Sequence, residues 1–574
     1  MKRIWASKKL TLPFFDIFII VLCITFASWL MFHTFSYDAK THDIRIAYKL
    51  WSDFGAHIPL IRSFSMGDNL DRFFNLNVQY PIFPGEPIRY HFLFYMIVGI
   101  FERLGMRIDW ALNLPSIAGF VLLLLSIYYL TWRFTHSKFT AVLALVFFLF
   151  NGSFGFIRFF TLHPITIDTV TDIVHAKDFP AFAPWGPGEI TAFWNLNIYT
   201  NQRHLAAAFA IVLLFIITTL RLIDIHWKKQ IPWAIFWGIT LGMFPFFHQP
   251  ALLICAVFMS IYFFCFPTLR IFLFFTGVLA LELIIPQLLA VRGSGSPLEW
   301  YPGYTIHNEL QKQATIIQKT LHMISYWWQN IGLHLILIPV GFFLIPKRSR
   351  LFVLPMIPLF ILPNLVKFSI EASANHKFFN FFLIFGNMLS AHVIVSIMSA
   401  ILKKRSVIMQ SVGVFASGCM IIVLTLTGII DFFVIYNDAK GTLSDVHPTA
   451  TWIATHTSPG DVFLNSNYLY HPASLAGRPV FLGWPYFAWS AGYKENRMPI
   501  MDIMYETRDE KQRCDLMKKY SISYVTVEDV RNDTNLPDIE LAYFLRNYTP
   551  SYTSANKQYA IFSFKSLCEG RTHQ

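Results

Sequence analysis

Long apolar stretches separated by short polar ones dominate the chain from residue 14 to about residue 436. About 20 apolar residues are needed for a helix to cross roughly 30 Å of hydrocarbon. This pattern predicts about eleven transmembrane helices, at 14–34, 109–131, 139–160, 200–221, 231–249, 250–266, 268–291, 322–345, 351–365, 378–401 and 406–436.

A further apolar segment, 89–102, changes the topology according to how it is counted. Treated as a full span, it would place Arg133 and Lys138 on the opposite side from the other basic clusters. We therefore predict a juxtamembrane or interfacial helix here, within the first long loop (35–108, called the first loop below).

The pattern changes after residue 436. In residues 437–574, called the tail below, long apolar runs stop, and short strand-like runs such as DVFLN, PVFLG, ISYVTVE and QYAIFSF alternate with helical ones such as RDEKQRCDLMKKY. The prediction is therefore a transmembrane domain, 1–436, that includes the first loop, followed by a small α/β domain, 437–574.

Composition supports this fold class. The 574 residues are 55% hydrophobic and only 14% charged, which excludes an ordinary soluble protein. The net charge of +12 is concentrated in short links between the spans, as topology requires, so it does not indicate a partner nucleic acid. The chain is predicted to be a polytopic α-helical membrane protein with a small extracytoplasmic α/β domain.

The basic links give the orientation. Placing them in the cytoplasm puts the N-terminus inside, with a retained signal-anchor, and places the tail outside, in a bacterial-type inner cell membrane. Cys514 and Cys568 can pair if the tail is extracytoplasmic. The first loop, 161–199, 292–321, 366–377 and the tail then share one face, so the working surface is expected to be extracytoplasmic.

The first loop carries the densest set of ionisable side chains. Asp53 and His57 are one helical turn apart, so they share a face if WSDFGAHIPLIRSF is helical. Such a pair suits an oriented general base or half of a metal site, whereas the plainer interpretation is a helix cap beside a surface histidine. The same loop supplies further candidates for substrate binding: Asp38, Asp43, Glu86, Arg89 and His91.

Two other segments on the same face repeat this chemistry. WNLNIYTNQRH provides amides, aromatic rings and basic groups that suit a sugar, or equally an interfacial belt: Asn197, Tyr199, Arg203 and His204. EASANHK places Glu371, His376 and Lys377 at the entry of another span, where a basic pair can bind a lipid phosphate or simply flank the span. The chain has no P-loop, no GxSxG, no HExxH and no CxxC pair.

These features together resemble the GT-C superfamily of integral-membrane glycosyltransferases, which includes polyprenyl-phosphate-sugar-dependent mannosyltransferases and aminoarabinose transferases. The resemblance rests on the basic N-terminus and first span, the acidic first loop, RYHFLFYMIVGIFERLG followed by WALNLPSIAGFVLLLLSIYYLTWRF, about eleven spans, and the tail. It covers most of the chain, but no single motif is diagnostic.

The resemblance implies a hexosyltransferase-type enzyme that moves a sugar from a polyprenyl phosphate to an acceptor hydroxyl on a lipid, glycan or protein, with inversion. An acidic residue of the first loop would be the base. Asp53 is preferred over Asp38 and Asp43 because His57 can orient it, although the loop lacks the adjacent acidic pair common in relatives.

The leaving phosphate would be stabilised by a basic side chain, for which Arg89, Arg203 and Lys377 are the candidates. Some relatives use a divalent metal, for which Asp53, His57 and Glu86 offer ligands. Alternatives are a transporter or flippase of a lipid-linked glycan, a glycan ligase or polymerase, and a membrane assembly factor.

Overall fold

The computed structural model describes residues 13–181, 188, 190–290, 298–404, 406–528 and 536–569. Within them, seven helices are long and apolar enough to cross a membrane, so the chain is a multi-pass membrane protein. They are Phe14–Thr34, Ile108–Thr135, Arg203–Leu222, Pro267–Ala290, Lys347–Leu365, Ala372–Leu402 and Val407–Tyr436.

The remaining predicted spans coincide with shorter or bent elements. Three apolar helices have 12 to 17 residues: Lys138–Leu149, Ile231–Gly242 and Gln249–Cys265. The helices Ile316–Ile331 and His334–Leu344 meet at 84°, where Gly332 takes a φ of +53° that favours glycine. The count of eleven spans therefore stays a prediction.

One predicted span, 139–160, is interrupted for a visible reason. The helix ends at Leu149 and a new one, Gly155–Leu162, begins five residues later. Between them the backbone of Phe150 passes so close to Gly428 that a side chain there would clash, and Thr427 donates a hydrogen bond to the Ser153 carbonyl at 2.7 Å. Packing against the last span thus replaces helical hydrogen bonds at this point.

The first loop forms a hairpin and three helices. The strands Phe35–Asp38 and Asp43–Ala47 are antiparallel, and the helices are Trp51–Ser65, Asn69–Phe73 and Leu93–Arg103. The last of these has 11 residues and packs against Trp51–Ser65. Segment 89–102 thus forms a short loop helix, as the charge pattern predicted.

The tail contains a mixed four-stranded sheet. Val462–Leu464 pairs in parallel with Ile522–Glu528, followed by the antiparallel strands Tyr559–Ser563 and Tyr552–Thr553. The tail's helices are Pro448–His456, Pro472–Leu475, Pro485–Ser490, Met498–Glu506, Glu510–Lys519, Leu541–Asn547 and Phe564–Cys568. Cys514 and Cys568 form a disulfide, as their positions allowed.

Shorter elements connect the spans. They are the helices Thr169–Val174, Leu196–Asn201, Phe244–Phe247, His307–Gln311 and Lys347–Val353, and the strand pair Glu299–Trp300 and Val366–Lys367. The apolar side chains of the spans form one core of the helical bundle.

The first loop and the tail share a second hydrophobic core. Strand Lys440–Ser444 extends the first loop's hairpin into a three-stranded sheet. The run PVFLG, expected to be a strand, instead bonds along the first loop, with Val480 N–H donating to the Pro81 carbonyl at 2.8 Å. The two segments therefore fold as one unit, although about 330 residues of chain separate them.

A buried cation connects this unit. The Arg62 guanidinium lies 2.6 Å from a carboxylate oxygen of Asp445 in the tail and 3.2 Å from one of Glu102. Arg62 and Glu102 are both buried, so their charges depend on each other for solvation.

We expect Arg62→Ala to lower the free energy of unfolding by about 3 kcal/mol, because it leaves buried carboxylate charge without its cation. The matched control is Arg45→Ala, which breaks the more exposed Arg45–Asp38 pair and is expected to cost less than about 1 kcal/mol. Thermal unfolding of the purified chain in detergent measures both. Equal losses in the two variants would contradict a structural role for Arg62.

Candidate functional site

A cavity of about 570 Å³, called the pocket below, lies where the first loop, the ends of the membrane helices and the tail meet. The first loop contributes Asp53, His57, Arg89 and His91. The segments at the helix ends contribute Asn197, Gln202, Glu371, His376 and Lys377. The tail contributes aromatic side chains: Trp484, Tyr486 and Phe487.

Asp53 is the first loop's carboxylate in the pocket. It lies in the first turn of the helix Trp51–Ser65, and in the described part of the chain no donor hydrogen-bonds it. Burial raises the pKa of Asp53 to about 6, the Glu371 carboxylate raises it further, and the Lys377 ammonium opposes the rise. The carboxylate is thus poised to exchange a proton near neutral pH.

His57 lies near Asp53 but is not hydrogen-bonded to it. Its ring stacks on Tyr95, with 4.6 Å between ring centroids, and its Nδ1 atom is buried without a partner among the described residues. Burial lowers the pKa of His57 to about 3, and the Arg203 charge adds to this effect. The prediction that His57 orients Asp53 is therefore not supported by a contact.

Lys377 brings a cation to the pocket. Its side chain is buried, and among the described residues no carboxylate lies within 4.0 Å of its ammonium group. Nearby Glu371, by contrast, is well supplied with donors, since the hydroxyls of Tyr486, at 2.5 Å, and Ser373 both bond it. His376 bonds the Asn380 side chain at 3.1 Å. Lys377 is thus available to an anion.

Arg89 also lines the pocket, but its guanidinium is already engaged. It donates to Glu86 and to the Gly492 carbonyl, each at 2.8 Å, and stacks on the Tyr493 ring at 4.4 Å. Glu86 itself does not line the pocket. Arg89 therefore mainly fixes the tail against the first loop.

Five other candidates lie outside the pocket lining. Asp38 pairs with Arg45, and Asp43 lies opposite Ser444 in the sheet. Tyr199 packs between Phe120 and Phe148 in the helical core. His204 bonds the Tyr95 hydroxyl at 3.1 Å, and Arg203 is treated next.

Arg203 was expected at the pocket mouth as a phosphate-binding cation, and the structure places it inside the bundle. It donates to the Thr200 carbonyl and the Thr34 hydroxyl, both at 2.8 Å, and to the Met31 carbonyl at 3.4 Å. A cation is stabilised beside the carbonyls that end a helix, here Phe14–Thr34. Its role is to hold two spans together.

Asn197 and its neighbours are positioned by a buried carboxylate. The Asn195 side chain bonds Asp431 of the last span and also caps Asn197 N–H at 3.2 Å. Asn195 thereby begins the helix Leu196–Asn201, whose far end presents Gln202 to the pocket.

Residues from the tail were missed by the sequence-based site. Trp484 and Tyr486 flank Pro485 in a turn that faces the pocket. The cluster WPYFAW, rich in aromatic residues within an otherwise polar domain, was the available signal.

The sequence also offered Asp53, His57 and Glu86 as metal ligands. In the described residues these three do not bring ligand atoms together, and Glu86 is bound to Arg89. A metal at that set of residues has no support in this structure.

No protein-family model matches the sequence, and no curated protein matches it. Among solved structures, the chain is similar to an oligosaccharyltransferase from Archaeoglobus fulgidus tethered with an acceptor peptide, with a TM-score of 0.47, 12% identity, and 90% of this chain and 69% of that chain covered.

Two further solved structures show the same kind of likeness. ArnT from Cupriavidus metallidurans bound to undecaprenyl phosphate gives a TM-score of 0.44 and 9% identity, covering 97% of this chain and 99% of that one. Arabinofuranosyltransferase AftD from Mycobacteria gives 0.42 and 13%, covering 95% and 40%. These solved structures are GT-C glycosyltransferases, the superfamily that the sequence resembles.

Proposed function

We propose that this chain is a membrane glycosyltransferase that moves a sugar from a polyprenyl-phosphate donor to an acceptor hydroxyl on the extracytoplasmic face. One observation carries the proposal. Asp53 and Lys377, a carboxylate and an ammonium, line one pocket, and neither has a hydrogen-bond or ion-pair partner among the described residues.

Sugar transfer from a phosphate needs two such groups. The Asp53 carboxylate takes the proton of the acceptor hydroxyl as that oxygen bonds to the anomeric carbon of the donor. The bond from that carbon to the phosphate oxygen breaks, and its electron pair leaves with the polyprenyl phosphate. The Lys377 ammonium stabilises the negative charge that develops on the phosphate.

Inversion follows from the number of available carboxylates. A single displacement needs one base, whereas a retaining double displacement needs a second carboxylate as nucleophile. Glu371 is the other unpaired carboxylate of the pocket, and two hydroxyl donors already hold it. Asp53 alone is free to act, and one-step displacement inverts the anomeric centre.

The remaining pocket residues suit a sugar. The amides of Asn197 and Gln202 can bond sugar hydroxyls, and the rings of Trp484 and Tyr486 can pack on the apolar face of a pyranose. No metal enters this scheme. The acceptor is a hydroxyl of a lipid, glycan or protein.

The extracytoplasmic assignment rests on two features. Basic residues cluster in the short links on one side of the spans, which places the pocket on the other side. The Cys514–Cys568 disulfide suits an oxidising compartment, so it supports a tail outside the cytoplasm of an inner cell membrane.

Asp53→Asn is expected to lower sugar transfer at least about 100-fold, because the amide cannot accept the acceptor's proton. Asp38→Asn and Asp43→Asn, which change carboxylates outside the pocket, are expected to retain nearly full activity. The assay follows radiolabelled sugar from a panel of undecaprenyl-phosphate sugars into product in membranes.

This comparison also tests the competing functions. A transporter would carry the labelled lipid across vesicles without forming product, and an assembly factor would tolerate Asp53→Asn. Full activity of Asp53→Asn with loss in Asp38→Asn would assign the base to the hairpin and refute the proposal.

The rate is expected to depend on pH through Asp53. Because the base acts only as the carboxylate and its pKa is about 6, kcat/KM should rise with pH up to about 6 and level off above it. Glu371→Gln removes a charge that raises the pKa of Asp53, so it should move this acid limb to lower pH. A limb that does not move in Glu371→Gln would assign it to another group.

Lys377→Met is expected to lower kcat/KM by about 100-fold, because the leaving phosphate loses its cation. The same change removes a charge that opposes the rise in the pKa of Asp53, so the acid limb should move to higher pH. Lys367→Met is the control, since Lys367 lies ten residues away, pairs with Glu299 and does not line the pocket. Similar losses in both variants would point to a general surface-charge effect.

A further inference from the structure

Three histidines from distant parts of the chain meet beside the pocket. His91 belongs to the first loop, His204 begins the span Arg203–Leu222, and His248 precedes the helix Gln249–Cys265. All three are buried, and one ring nitrogen of each lies within 4.8 Å of those of the others. Among the described residues, this is the one group of three or more possible metal ligands.

Each histidine has a ring nitrogen without a partner. His91 Nδ1, His204 Nε2 and His248 Nε2 are buried and make no hydrogen bond in the described structure. Leaving a polar atom buried and unpaired costs about 1–3 kcal/mol. Three such atoms at one point therefore indicate a ligand that bonds all of them.

The other nitrogen of His204 is arranged as in a metal ligand. Its Nδ1 lies 3.1 Å from the Tyr95 oxygen, and the Tyr95 hydroxyl is hydrogen-bonded with Tyr90. When Tyr95 donates to Tyr90, its oxygen accepts a proton from His204 Nδ1–H, and the Nε2 lone pair points into the cluster. An outer acceptor of this kind fixes the tautomer of ligating histidines.

His248 requires a rearrangement. Its Nδ1 accepts the Ala251 N–H at 3.0 Å and caps the helix, which leaves the ring proton on Nε2. Metal binding at Nε2 moves that proton to Nδ1 and breaks the cap. The loss is about 1 kcal/mol, small beside the roughly 10 kcal/mol that a structural zinc site provides.

We propose that His91, His204 and His248 bind a zinc ion at the wall of the pocket. Imidazole nitrogens suit Zn²⁺, and three of them leave a fourth position for a pocket ligand. A tetrahedral zinc holds its nitrogens about 3.3 Å apart. The present limit of 4.8 Å is closed by small rotations of the three rings.

The charge of the pocket gives such an ion a purpose, and this step rests on the proposed function. The ionisable side chains of the pocket that are not in ion pairs are Asp53, Glu371 and Lys377, which sum to one negative charge. That sum repels a donor phosphodiester. A divalent ion reverses it to one positive charge, which matches the single negative charge of the donor.

The test is the zinc content of the purified full-length protein in detergent, measured by mass spectrometry after removal of loose metal. Wild type is expected to hold about one zinc per chain, and His204→Ala and His248→Asn at least about tenfold less. Asn at position 248 still caps the helix, so the fold is retained. His334→Ala is the control, because His334 is equally buried but bonds Ser390 in another part of the bundle.

Two further readings keep the proposal falsifiable. Cobalt replacing zinc should give the visible absorption of a tetrahedral site in wild type and His334→Ala alone, and added zinc should raise their thermal stability. If His204→Ala does not fold, His91→Gln, at the pocket wall, takes its place. Wild type that binds no more zinc than His248→Asn would show that the cluster holds only water.

The zinc measurement and the transfer assay fail independently. Zinc in wild type without sugar transfer would keep the metal site and overturn the proposed function. Sugar transfer by a zinc-free protein would do the reverse.

Discussion

The shared hydrophobic core of the first loop and the tail is the constraint on which the rest of the structure depends. Strand Lys440–Ser444 completes a sheet begun by residues 35–47, and Arg62 joins the two segments through buried charges. Closing so long a loop costs only logarithmically more than closing a short one, whereas apolar burial grows with area. This core fixes the helix that carries Asp53 and the aromatic wall that faces it.

The pocket keeps its charges poorly compensated, while the rest of the described chain pairs its buried charges. Arg62, Arg89 and Arg203 are each held by carboxylates, carbonyls or hydroxyls. Asp53 and Lys377 have no such partners among the described residues, although burial makes their charges costly. A substrate that supplies a proton to one and a phosphate to the other relieves that cost. Polar groups of this kind persist where function requires them.

Local pattern was sufficient for the elements and insufficient for long-range contacts. Apolar length predicted the spans, and charge balance predicted that 89–102 is a short loop helix, because both depend on neighbouring residues. The same information placed Asp53 on a helix but also paired it with His57, whose ring in fact stacks on Tyr95. Arg203 was misjudged because nothing near it in sequence shows that the end of the first span will accept its hydrogen bonds. The tail's share of the pocket was missed for the same reason.

The three sources of the pocket imply a direction for the proposed reaction. Lys377 stands at the end of a membrane helix, so the leaving phosphate and its lipid chain lie toward the bilayer. Asp53 comes from the first loop, whose core is shared with the tail, so the acceptor hydroxyl is deprotonated on the side away from the lipid. In-line displacement requires the attacking oxygen and the leaving oxygen to lie on opposite faces of the anomeric carbon. A fold that takes the cation from the membrane helices and the base from a loop joined to the tail meets that requirement by its topology.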